Sequence, residues 1–120
     1  MIDLQKSNNL ISINQDVLNE TTEILKNVLK KNLIKIILYG SYARGDYNNF
    51  SDIDVFVLVK NKKDELNSIL DLIIDKLFEL DLKYNITINP LIENTQIFNE
   101  YKDSSLLFES IEKEGVVLYG

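Results

Sequence analysis

The sequence predicts an α/β (α+β) fold, a small mixed β-sheet with packed helices. Two segments repeat their apolar residues at helical spacing. Two others are short apolar runs rich in β-branched residues. Their order is helix, strand, turn, strand, helix, strand, helices, which suits helices packed on a mixed sheet. With 120 residues, 45% of them hydrophobic, the chain can build one core and is too short for two ordinary ones, so residues 1–120 are expected to form a single domain.

Segment 15–31 carries Val17, Leu18, Thr21, Ile24, Leu25, Val28 and Leu29 at helical spacing, with Asn14 as its expected cap. The run LIKIILY (33–39) ends at a Gly-Ser pair and reads as a buried strand closed by a turn. DIDVFVLV (52–59) is a second strand, apolar on both faces after its first three residues, as a covered strand in mid-sheet requires. Segment 62–80 places Leu66, Ile69, Leu70, Ile73, Ile74, Leu77 and Phe78 on the i, i+3, i+4, i+7 template of an amphipathic helix. A third strand is expected in KYNITINPLI (83–92), with Tyr84, Ile86 and Ile88 on one face and Pro90 marking an edge, a bulge or an end. Short helices are expected over 95–101 and 104–114, the second stopped by Gly115 at C′, and VVLY (116–119) is a final extended piece.

Composition narrows the chemistry. The chain has no cysteine and no histidine, which removes thiolate zinc sites, disulfides and the commonest general base. Carboxylates, hydroxyls, amides, Lys and Arg are what remain. The net charge is −6 and the only basic run is KNKKDE (60–65). A phosphate-backbone binder needs a basic stripe, so a nucleic-acid partner is disfavoured. No apolar run nears the length of a membrane span and the N-terminus does not read as a signal peptide. No membrane partner and a cytoplasmic location are therefore the expectations. Apolar helix faces too numerous for one small core would point to a homo-oligomer.

The stretch LYGSYARGDYNNFSDIDVFVLV (38–59) sets two carboxylates, Asp52 and Asp54, at the mouth of an apolar strand. Alternation puts both on one face, about 7 Å apart along the strand. Their repulsion calls for a shared proton, a neighbouring Arg or Lys, or a divalent cation. An oxygen-only donor set favours a hard ion such as Mg²⁺, which takes a few carboxylates together with substrate phosphates. The turn at Gly40-Ser41 complements it: glycine allows close backbone approach, and the amides after it with the Ser41 hydroxyl can donate to phosphate oxygens. Arg44 can pair with a carboxylate or reach a phosphate. Taken singly, a Gly-Ser pair is more often only a turn, and an Asp-x-Asp more often solvated. Both on consecutive strands are far less expected by chance.

Gly40-Ser41, ten residues, then Asp52-Ile53-Asp54 matches the pattern G-S-x10-D-x-D, and GSYARGDYNNFSDIDVFV resembles the minimal nucleotidyltransferases of the DNA polymerase β superfamily. The resemblance implies the polymerase β-like nucleotidyltransferase fold. It implies that Gly40 and Ser41, with Arg44, bind a nucleoside triphosphate such as ATP, and that Asp52 and Asp54 are catalytic and hold two Mg²⁺ ions. The family usually adds a third carboxylate on the next strand. Here Thr87 and Asn89 occupy the corresponding positions, and Asp46 or Glu93 could substitute only if loops bring them close.

The resemblance further implies a partner, a HEPN-domain toxin encoded nearby, with transfer of AMP to a tyrosine of that toxin as the antitoxin activity. Two alternatives stay open. One is a catalytically impaired, nucleotide-binding or steric antitoxin that works by complex formation. The other is a small-molecule, antibiotic-type nucleotidyltransferase.

Overall fold

The computed structural model describes residues 4–48 and 50–120, with side chains from Gln15 onward. Helix α1 (Leu4–Leu29) passes through a 3₁₀ turn (Lys30–Asn32) into β1 (Leu33–Tyr39). A single turn, α2 (Ser41–Arg44), and a loop lead to β2 (Ile53–Val59), then α3 (Lys63–Tyr84) and β3 (Ile88–Asn94). Helices α4 (Thr95–Tyr101) and α5 (Leu106–Glu114) precede β4 (Val116–Tyr119). The sheet order is β3-β2-β1-β4. β1 is antiparallel to β2 and β4, and β2 is parallel to β3 across the α3 crossover.

Strand alternation assigns each face its own core. Ile53, Val55, Val57 and Val59 of β2, with Ile36 and Leu38 of β1, pack against Val17, Leu25, Ile73 and Leu77 of α1 and α3. The alternate residues Phe56 and Leu58, with Ile37, pack against Phe98, Phe108 and Ile111 of α4 and α5. Phe56, Phe98 and Phe108 meet in tilted pairs with centroids 5.1–5.8 Å apart, a favoured aromatic geometry. Helices thus cover both faces, which explains why β2 is apolar on both sides.

Several boundaries differ from expectation. α1 begins at Leu4, so Asn14 lies inside the helix and is no cap. The strand expected over 83–92 is instead β3 at Ile88–Asn94, which neither Tyr84 nor Ile86 joins; α3 runs through Tyr84. Its apolar spacing continues through Leu80 to Tyr84, and Asn85 stops it by entering the left-handed region (φ 52) with its N–H on the Asp81 carbonyl. The Tyr84 hydroxyl and Lys83 Nζ both donate to Glu20, tying α3 to α1. Gly115 ends α5 but is extended (φ −68, ψ 150), not left-handed. Its lack of a Cβ matters instead because Ile37 and the Ile111 carbonyl crowd it. Pro90 sits on β3, an edge strand, where a missing donor is tolerated.

Asn94 joins three elements. Its Oδ1 accepts from the N–H groups of Gln96 (2.8 Å) and Ile97 (3.2 Å), capping α4, while Nδ2 donates to the Asn61 carbonyl at 2.8 Å beyond β2. It is itself buried. Asn94→Ala is expected to cost about 2 kcal/mol, one part cap and one part buried hydrogen bond. Urea unfolding checks this as a lower midpoint at unchanged slope, and Asn94→Asp, which keeps the cap and loses the donor, should fall in between.

Candidate functional site

β1 ends at Tyr39 and is followed by Gly40, whose φ of 74 and ψ of −155 are closed to ordinary L residues. A Cβ there would also run into the Asp54 carboxylate. Glycine is thus required twice, by the turn and by the close approach. The α2 turn closes with Arg44 N–H on the Gly40 carbonyl (3.1 Å) and Gly45 N–H on the Ser41 carbonyl (2.9 Å). The N–H groups of Ser41, Tyr42 and Ala43 precede any intrahelical acceptor, which leaves them as donors beside Asp54. The loop returns through Asn48, whose Oδ1 accepts from Phe50 N–H (2.8 Å) and whose N–H donates to Ser51 Oγ (3.0 Å). This fixes the entry to Asp52.

Across the sheet Tyr39, Asp54 and Asn89 stand opposite one another on β1, β2 and β3. Asn89 Nδ2 donates to Asp52 Oδ2 at 2.9 Å, so the carboxamide bridges toward both aspartates. Burial pushes the Asp54 carboxyl above its ordinary range, Asn89 pulls it back, Asp52 pushes it up again and Arg44 pulls it down. Burial, then Asp54, raises the Tyr39 hydroxyl; burial, then Tyr47 and Asp52, raises Tyr42. The structure therefore brings together Gly40, Ser41, Asp52, Asp54 and Asn89, with Asp54 half-buried and Asp52 and Asn89 exposed.

The other expected residues lie around this centre. Arg44 Nε is 3.3 Å from Asp46 Oδ2 and Nη1 is 3.7 Å from Glu114 Oε2; both pairs are exposed and readily exchanged. Asp46 pairs with Arg44 and, among the described residues, joins no three-carboxylate cluster with Asp52 and Asp54. Glu93 stands opposite Leu58, toward the other end of β2 from Asp54, and accepts from Asn94 N–H. Thr87 just precedes β3, its carbonyl accepting from Ile53 N–H at 2.8 Å. It lines a cleft of about 350 Å³ with Ser51, Asp52 and Ile86. Tyr42 and Tyr47 stack on each other, centroids 4.4 Å apart and 8° from parallel.

Asp81 was not legible as part of this region. From the end of α3 its Oδ1 accepts Ile88 N–H at 3.0 Å, and its carbonyl accepts Ile86 N–H at 3.1 Å. It fixes the first residue of β3, and the next residue, Asn89, meets Asp52. Burial raises its carboxyl, Ile88 N–H lowers it, and Asp52 adds a further push upward. Its signal, a carboxylate at a helix end next to a strand, was hidden because the strand was expected to start at residue 83.

Comparison with known proteins decides the family. The family model described as "Nucleotidyltransferase domain" matches residues 21–118. The chain belongs to this family. A Methanocaldococcus jannaschii protein described as "Putative protein adenylyltransferase MJ0604" is 37% identical over 105 residues, covering 88% of this chain and 97% of the relative. In fold the nucleotidyltransferase is similar to a chain of a toxin-antitoxin crystal structure with AMP-PNP: TM-score 0.60, 21% identity, 86% of this chain and 73% of that one covered. It is similar also to a Sulfolobus solfataricus protein described as a putative nucleotidyltransferase: TM-score 0.57, 21% identity, coverage 91% and 85%. The chain is an enzyme of the nucleotidyltransferase type. Among the described residues no helix is long and apolar enough to cross a membrane.

The oxygens of this nucleotidyltransferase's site fit a hard cation: the Asp52 and Asp54 carboxylates stand beside the Asn89 carboxamide, while the backbone N–H groups after Gly40 suit phosphate oxygens. No third Asp or Glu joins them among the described residues. Asp81→Ala should speed hydrogen exchange of the Ile88 amide about tenfold, as loss of one hydrogen bond to a charged acceptor predicts. Asp81→Asn keeps an acceptor and should restore protection; equal loss in both variants would assign the effect to charge instead.

Proposed function

We propose that this nucleotidyltransferase moves AMP from ATP to a hydroxyl of a partner protein, a tyrosine of a HEPN-domain toxin encoded nearby, and thereby acts as an antitoxin. The observation carrying the reading is the convergence of the Gly40 turn on Asp54, which puts phosphate donors against a pair of carboxylates. A 37%-identical relative described as a protein adenylyltransferase supports the protein acceptor, and the toxin-antitoxin fold neighbour with AMP-PNP supports the nucleotide and the partner.

In this reading the amides after Gly40 and the Ser41 hydroxyl hold the triphosphate, and Arg44 turns from Asp46 to a phosphate oxygen. The acceptor oxygen forms a bond to the α-phosphorus in line with the bond that breaks to the β-phosphate oxygen. Pyrophosphate leaves, and the hydroxyl proton passes to water. Asp52 and Asp54 would hold Mg²⁺, two ions, which when bound neutralises phosphate charge and lowers the acceptor hydroxyl's pKa. Asn89 keeps the two carboxylates aligned but cannot take a proton.

That last point favours a second reading, in which the chain binds nucleotide and neutralises its partner by complex formation. Incubation with Mg²⁺ and α-labelled ATP, with and without the protein encoded by the adjacent gene, separates the two. Transfer predicts label on the partner that is lost by at least about 10²-fold in Asp52→Ala or Asp54→Ala. No label with any NTP, alongside tight partner binding, supports the steric reading.

A further inference from the structure

Helix α3 carries a row of apolar side chains that its own core does not use. Leu70, Ile74, Phe78 and Leu82 are 36%, 48%, 55% and 70% exposed. Their i, i+4 spacing makes them one ridge of the kind that fits the groove of a second helix. The core-facing row, Ile73 and Leu77, is buried on one side of the ridge. On the other side run Asp71, Asp75 and Glu79, all exposed. None of these three has an ion-pair partner among the described residues.

We infer that this ridge is a docking surface for an amphipathic helix of a partner protein that carries an apolar seam edged by Lys or Arg. Charge selects the occupant. Like charges at i, i+4 destabilise the helix that bears them, and a basic row alongside would relieve that. A second copy brings no such row: antiparallel pairing of two ridges sets the carboxylates of both chains against each other, where they repel. The ridge also points somewhere. Leu82 follows Asp81, whose carboxylate holds the start of β3 and feels the charge of Asp52. A helix lying along α3 would end beside Asp52 and Asp54. That delivery of an acceptor rests on the transferase reading above; the docking does not.

The test uses the whole chain and two labelled synthetic amphipathic helices, alike except that one has Lys and the other Glu along the seam. Fluorescence anisotropy should show the Lys helix binding and the Glu helix failing. Phe78→Glu should weaken the Lys helix by at least about tenfold, and Asp75→Lys with Glu79→Lys should transfer the preference to the Glu helix. Phe78→Glu adds negative charge, so unchanged or tighter binding would reveal mere charge attraction and overturn the proposal. A wild-type dimer by sedimentation that Phe78→Glu dissociates would overturn it in favour of a second copy. Circular dichroism confirms that the variants fold, and a chain that binds the Lys helix yet labels no partner keeps the docking surface while removing the transferase reading.

Discussion

The close approach of Asp54 to Gly40 is the constraint on which the rest of the site depends. One atom more on Gly40 would displace the carboxylate, and the positive φ there would be strained. The contact forces the end of β1, the α2 turn and the start of β2 into one arrangement. Its cost is a carboxylate with reduced hydration beside a second one, and burial raises Asp54 accordingly. Such a pair is poorly arranged for stability and well arranged for a cation that needs both charges.

The surrounding fold works to hold that arrangement. β2 is the central register: β1 pairs with it from one side and β3 from the other, which lines up Tyr39, Asp54 and Asn89. Asp81 secures β3 at its first residue, and Asn94 secures the same strand at its last. Two polar side chains thus fix the strand that bears Asn89, while the aromatic cluster under α4 and α5 fills the face beneath. Asn89 then spans to Asp52 with a neutral amide. A neutral amide there adds no repulsion to the site's carboxylates and cannot act as a base.

Much of this was legible in the chain itself. Two helical periods and two apolar runs marked α1, α3, β1 and β2, because tertiary burial writes those patterns directly. The Gly-Ser turn and the Asp-x-Asp strand end were legible because each residue type has few structural alternatives. What was hidden depended on contacts between distant residues. The end of α3 is set by Asn85 adopting a left-handed conformation that many residues could precede. Asp81 reads as a solvated helix end until its bond to Ile88 is known, and Arg44 reads as a partner for a carboxylate or a phosphate without showing that the carboxylates are Asp46 and Glu114. The Asn89 position was predicted, but its donation to Asp52 was not, since a strand register cannot be read from one strand.

If Asp52, Asp54 and the Gly40 turn form one cation-dependent triphosphate site, a nucleoside triphosphate should bind there only together with a divalent ion. Calorimetric titration with a non-hydrolysable ATP analogue, with and without Mg²⁺, tests it most directly. Binding should require Mg²⁺, vanish in Asp54→Ala and tighten in Asn89→Asp, which supplies a third carboxylate. Binding that is indifferent to Mg²⁺ and to Asp54 would contradict the claim.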